Sequence, residues 1–89
     1  MAHIVFAPSI QRHVPCEEQD VAARTVGEAL QAVFAREPRL RGYILDDQGG
    51  LRRHLVVFVD GLRIRDPIRL GDPLEADSEI YVVQALTGG

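Results

Sequence analysis

The sequence predicts an α+β fold in which one main helix packs on one face of a mixed β-sheet. Three observations predict it. A capped, amphipathic helical pattern begins at Thr25 and stops before Pro38. Short runs rich in β-branched and aromatic residues recur near the start, in the middle and at the end of the chain. The helical pattern lies between the first strands and the later ones, so it must cross the sheet and cover it.

The first strand is His3-Ile4-Val5-Phe6-Ala7, interrupted by Pro8-Ser9. Residues 10–20 form an expected second strand, bent at Pro15, so that the N-terminus reads as a hairpin with an irregular turn. Thr25-Val26-Gly27-Glu28 is a capping-box pattern, in which Thr25 caps the helix and Glu28 bonds back. Val26, Ala29, Leu30, Val33 and Phe34 then fall at i, i+3, i+4, i+7 and i+8, which is one apolar stripe. Pro38 limits the helix to about residue 36.

Residues 39–53 read as a long charged connection in which Leu40, Tyr43, Ile44 and Leu45 tuck one short turn onto the core. Asp46 to Gly50 is a loop tip, and its internal diglycine is a turn signal without chemistry. Leu55-Val56-Val57-Phe58-Val59 is the strongest strand. Asp60-Gly61 turns the chain, and residues 62–65 return it. A loop over residues 67–77 carries one turn near Leu70 to Leu74, and Glu79 to Ala85 is the last strand. Strand, strand, helix, strand, short strand, strand is the β-grasp order. It places the first and last strands parallel in the middle, with the C-terminus at an accessible edge.

Strand alternation sorts the two faces. Leu55, Val57, Val59, Ile80 and Val82 fit the face under the helix. Val56, Phe58, Tyr81 and Val83 are left on the open face, where an apolar cluster marks a candidate partner surface. Cover by the 39–53 connection or a homodimer contact are the other readings of that cluster.

The last four residues are Leu86-Thr87-Gly88-Gly89. Residues 87–89 read as a flexible arm reaching roughly 10 Å past the strand. Glycine without Cβ lets backbone enter a crevice that side chains would block. The arrangement suits delivery of the Gly89 carboxylate into another protein's active site.

Bulk properties narrow the function classes. Eighty-nine residues make one domain, 1–89, with one core. A net charge of −3 gives no basic excess for phosphate contacts, so nucleic acid is not an expected ligand. No apolar run approaches bilayer length, and the first residues lack a signal-peptide pattern. The lone Cys16 excludes an internal disulfide framework. Together these indicate a cytoplasmic protein without membrane contact. Cys16 follows Pro15 and precedes Glu17 and Glu18, whose charges disfavour the thiolate. His3, His13 and His54 have no metal-like spacing, and no phosphate loop or nucleophile elbow is present. No catalytic or metal-ligating residue is therefore assigned. All ten basic residues are arginine, so the chain has no lysine ε-amine on which it could form chains of itself.

Over its whole length the sequence resembles the ubiquitin-like sulfur carriers. These include the small subunit of molybdopterin synthase, the thiamine-pathway carrier and the cysteine-synthase-associated carrier. The residues that carry the resemblance are His3 to Ile10, Thr25 to Leu30, Val57 to Gly61, Leu74 to Ile80 and Leu86 to Gly89. The proline-broken opening strand, the 38–50 loop and Leu51-Arg52-Arg53-His54 are most similar to the cysteine-synthase-associated branch, although Gln84 stands where many relatives have proline.

The resemblance implies that Gly89 is adenylated by an E1-like activating enzyme, which uses ATP and Mg²⁺. Sulfide from a sulfurtransferase or another donor then leaves a thiocarboxylate. The acceptor would be cysteine synthase-like or molybdopterin synthase large subunit-like. Gly88 would supply clearance, Leu86 would join the open face as partner contact, and the carrier would bind no cofactor itself. Such a protein is a cosubstrate and not an enzyme. The alternative is a ubiquitin-like modifier joined through Gly89 to lysines of target proteins, and a third reading is a β-grasp binding subunit with an inert tail. The pathway, the acceptor, the oligomeric state and any precursor trimming stay open.

Overall fold

The computed structural model describes residues 1–85, in the order β1 (Ala2–Phe6), α1 (Pro8–Gln11), β2 (Gln19–Val21), α2 (Val26–Arg36), α3 (Arg39–Ile44), β3 (Leu55–Val59), β4 (Leu62–Arg63) and β5 (Glu79–Gln84). The described strands form one five-stranded mixed sheet in the order β2-β1-β5-β3-β4. β1 and β5 are parallel and central, and every other pairing is antiparallel.

Helix α2 forms as its sequence dictates. The Thr25 hydroxyl accepts the amide of Glu28 at 3.2 Å. The Glu28 carboxylate reaches one residue further back than a standard capping box and accepts the amide of Arg24 at 2.8 Å. Val26, Ala29, Leu30, Val33 and Phe34 are all buried on one side. They meet Ile4, Phe6, Leu55, Val57, Ile80 and Val82 from the sheet in one core. The 39–53 connection contributes Leu40, Ile44 and Leu45 through α3, a short helix where one turn was expected. Tyr43 stays only partly buried against that core.

Four local expectations are corrected. Residues 10–20 do not form a strand. Pro8 starts a helical turn, because its fixed φ suits the first helical position, and that turn carries Ile10 fully into the core. Only Gln19–Val21 then pairs with β1. The return strand after Gly61 is two residues and not four. The Asp72 carboxylate accepts the amides of Arg65 and Asp66, each at 2.9 Å, and pulls the chain away from β3.

The turn placed near Leu70 to Leu74 lies earlier, over residues 67–69, where the Asp66 carboxylate accepts the amides of Ile68 and Arg69. The segment after it instead closes the start of α2. The Leu70 carbonyl accepts the amide of Gly27 at 2.8 Å, and a Cβ on Gly27 would stand 3.2 Å from that carbonyl. Finally, β5 is flanked by β1 and β3. The described chain therefore leaves from the end of the central strand and not from a lateral edge.

The Asp60-Gly61 turn has φ of +51° and +84°, the left-handed pair that a tight hairpin needs. Asp60 also ties the turn to β5: its carboxylate accepts the Glu79 amide at 2.9 Å and the Ser78 hydroxyl at 3.0 Å. Among the described residues no helix is long and apolar enough to cross a membrane.

Candidate functional site

The helix covers one face of the sheet and leaves the other. On the covered side Leu55, Val57, Ile80 and Val82 are buried, and Val59 packs partly against the core. On the open side Val56 lies opposite Val83, and Phe58 lies opposite Tyr81, in the β3–β5 register. The four side chains predicted as a partner surface thus form one contiguous block two strands wide. Tyr81 is 42% exposed, and Val56, Phe58 and Val83 are half-buried. None of the four is fully buried.

Val5 extends the block across β1, opposite Tyr81, and Arg63 extends it across β4, opposite Phe58. Sequence reasoning missed both. Their places depend on parallel and hairpin registers that a single strand's alternation does not reveal. A polar row borders the block. His3 of β1 lies opposite Glu79 of β5 and opposite Asp20 of β2. Its Nδ1 is 2.8 Å from the Asp20 carboxylate, and its Nε2 is 3.6 Å from Glu18. The Asp20 hydrogen bond is the main reason that His3 holds its proton to higher pH than a free imidazole.

The end of β5 is held from several sides. Gln84 lies opposite Leu55, and the Ala85 amide donates to the His54 carbonyl at 2.7 Å. On the other side the Ala7 amide donates to the Val82 carbonyl at 2.9 Å. The His54 ring meets Tyr43 edge-on at 6.0 Å between centroids, and Tyr43 stacks on His13 at 5.2 Å. His13 and His54, far apart in the sequence, therefore share one aromatic column with Tyr43, beside the last described residues. Sequence spacing could not reveal this, because α3 brings Tyr43 between them. Among the described residues no group of three His, Cys, Asp or Glu side chains could hold a metal ion.

The other assigned residues, Leu86, Gly88 and Gly89, lie outside the described residues. Cys16 is half-buried against the core. Its thiol is pushed up first by burial and then by the charge of Glu37, the direction that lowers its thiolate fraction. The cause differs from the sequence reading, which assigned it to Glu17 and Glu18. Glu37 approaches from the far end of α2, a distance in sequence that local reading does not cross.

No protein-family model matches the sequence, and no curated protein matches it. Solved structures do. SAMP1 from Haloferax volcanii superposes with a TM-score of 0.77 at 24% identity, covering 99% of this chain and 98% of that one. A chain of the Amycolatopsis orientalis BexX/CysO complex gives a TM-score of 0.82 at 16% identity, with both chains covered completely. Mycobacterium tuberculosis CysO gives 0.81 at 13% identity, over 97% of this chain and 100% of that one. With its parallel central strands, its capped helix and these end-to-end superpositions, the chain has the ubiquitin-like β-grasp fold seen in the small archaeal modifier and CysO proteins.

Proposed function

We propose that this protein is a sulfur carrier whose reacting group is the Gly89 carboxylate. The observation that carries the reading is a β-grasp body matching CysO and small modifier proteins from end to end, joined in this sequence to Leu86-Thr87-Gly88-Gly89. In the proposed reaction an activating partner supplies ATP and Mg²⁺. The carboxylate attacks the α-phosphorus, pyrophosphate leaves, and an acyl adenylate forms. Sulfide then attacks the acyl carbon and displaces AMP, leaving a thiocarboxylate for an acceptor enzyme. The carrier contributes the carboxylate of Gly89, the clearance of Gly88 and a docking face. That face is Val56, Phe58, Tyr81 and Val83, continued by Leu86. The chain is thus a cosubstrate without catalytic residues of its own, acting in the cytoplasm.

Likeness to small archaeal modifier protein 1 favours a second reading, in which Gly89 is transferred to lysine amines of target proteins. The products separate the two. Incubation with activating enzyme, ATP, Mg²⁺ and a sulfide source is expected to change the intact mass by one oxygen-to-sulfur exchange, without larger conjugates. Deleting Gly88 and Gly89, or adding one residue after Gly89, should abolish the change, and Gly88→Val should slow it by narrowing the arm's conformations. A mass change that survives the double deletion would overturn the reading. Ladders of amide-linked species without the sulfur exchange would favour the modifier.

A further inference from the structure

A cavity of about 220 Å³ opens where β4 leaves β3. β4 pairs only with Phe58 and Val59. The Ile64 amide still donates to the Val57 carbonyl at 3.0 Å, and the chain then diverges until the Pro67 carbonyl accepts the Leu51 amide at 2.7 Å. The first half of β3 is left uncovered on that side. Apolar residues, Leu55 and Ile64 among them, line the gap together with Arg52, Arg53 and Arg63.

Its charge sets this gap apart. The protein carries a net charge of −3, yet the residues lining the cavity include three arginines and no Asp or Glu. Among the described residues the ion pairs involve only His3 and Arg39. Arg52 is anchored, since its Nε donates to the Gly42 carbonyl at 2.9 Å. Arg53 and Arg63 are exposed. Guanidinium groups beside apolar walls bind carboxylates more strongly than the same groups in open water, because the walls lower the local dielectric.

Size and continuity decide between occupants. Small-molecule sites typically run from roughly 300 to 1,000 Å³, so this gap is too small for a nucleotide and suits one or two side chains. Val56 lines the cavity and also belongs to the open face, and Arg63 stands opposite Phe58. Whatever covers the open face therefore reaches this gap.

We propose that the cavity between β3 and the chain leaving β4 binds an acidic, apolar-flanked segment of a partner protein, whose carboxylates meet Arg53 and Arg63 while a neighbouring apolar side chain enters between Leu55 and Ile64. The proposal rests on the reading that the open face docks a partner, and it adds the charge of that partner.

The test titrates the full isotope-labelled chain, observed by NMR, with a blocked pentapeptide alternating leucine and glutamate. Amides of Val56, Arg53, Arg63 and Ile64 are expected to shift together, with weaker binding at high salt. The Arg53→Glu/Arg63→Glu double variant, still showing a dispersed native spectrum, should bind at least tenfold more weakly. A peptide with lysine for glutamate should leave these amides unmoved. Equal shifts with inorganic phosphate would reduce the cavity to a general anion site and overturn the proposal. So would no shift at these amides, or a shift that the double variant retains. The Gly89 mass measurement does not use this peptide, so either result can fail without the other.

Discussion

Phe58 of β3 and Tyr81 of β5 face each other across the antiparallel pair, on the side of the sheet that α2 does not cover. One residue along each strand, Val57 and Val82 also face each other, and both are fully buried. Adjacent register pairs thus do opposite work: one holds the core and the other is offered outward.

That contrast predicts different failures. Phe58→Asp should keep the denaturant midpoint near wild type and, under the proposed function, weaken capture by an activating enzyme. Val57→Asp places a charge in the core and should cost more than about 4 kcal/mol. Equilibrium denaturation of both variants checks this, and the reverse pattern would mean that the two faces are exchanged.

The helix stripe carries the core. Leu30 is fully buried, and Phe34 is 5% exposed. Leu30→Ala or Phe34→Ala should each destabilise by about 2–5 kcal/mol. Unchanged midpoints would sink the helix-on-sheet packing.

The N-cap should be measurable by itself. Thr25→Ala removes the acceptor of the Glu28 amide and should cost about 1 kcal/mol. Thr25→Ser keeps the oxygen and should cost less. Equal losses would show that the cap hydrogen bond is not the source.

His3 predicts a pH dependence. The Asp20 hydrogen bond first, then the charges of Asp20, Glu18 and Glu79, raise its pKa above the ordinary 6.5, against desolvation, which lowers it. A raised folded value means that the imidazolium is favoured in the native state. The stabilisation is fully present below about 6.5 and is lost as pH rises through the folded pKa. NMR titration of the His3 ring should place its midpoint above that of an unfolded peptide, and Asp20→Asn should lower it. A midpoint indifferent to Asp20→Asn would remove the pair from any account of stability.

The sequence by itself determined the elements whose physics is local. The α2 stripe, its Thr25 cap and its stop before Pro38 are set by side chains within two turns of one another. The hairpin at Asp60-Gly61 follows from backbone conformations that this dipeptide tolerates. The alternation of Val56 and Phe58 with Val57 follows from strand geometry. Tertiary structure decided what depends on partners distant in the chain. Ile10 turns inward on a helical turn because the core offers it burial. β4 ends at Arg63 because, after the Ile64 amide, Asp72 claims the amides of Arg65 and Asp66. Only the meeting of β3, β4 and the approach to Leu51 gathers Arg52, Arg53 and Arg63 around one gap, because registers and loop closures are collective solutions that no window of sequence contains.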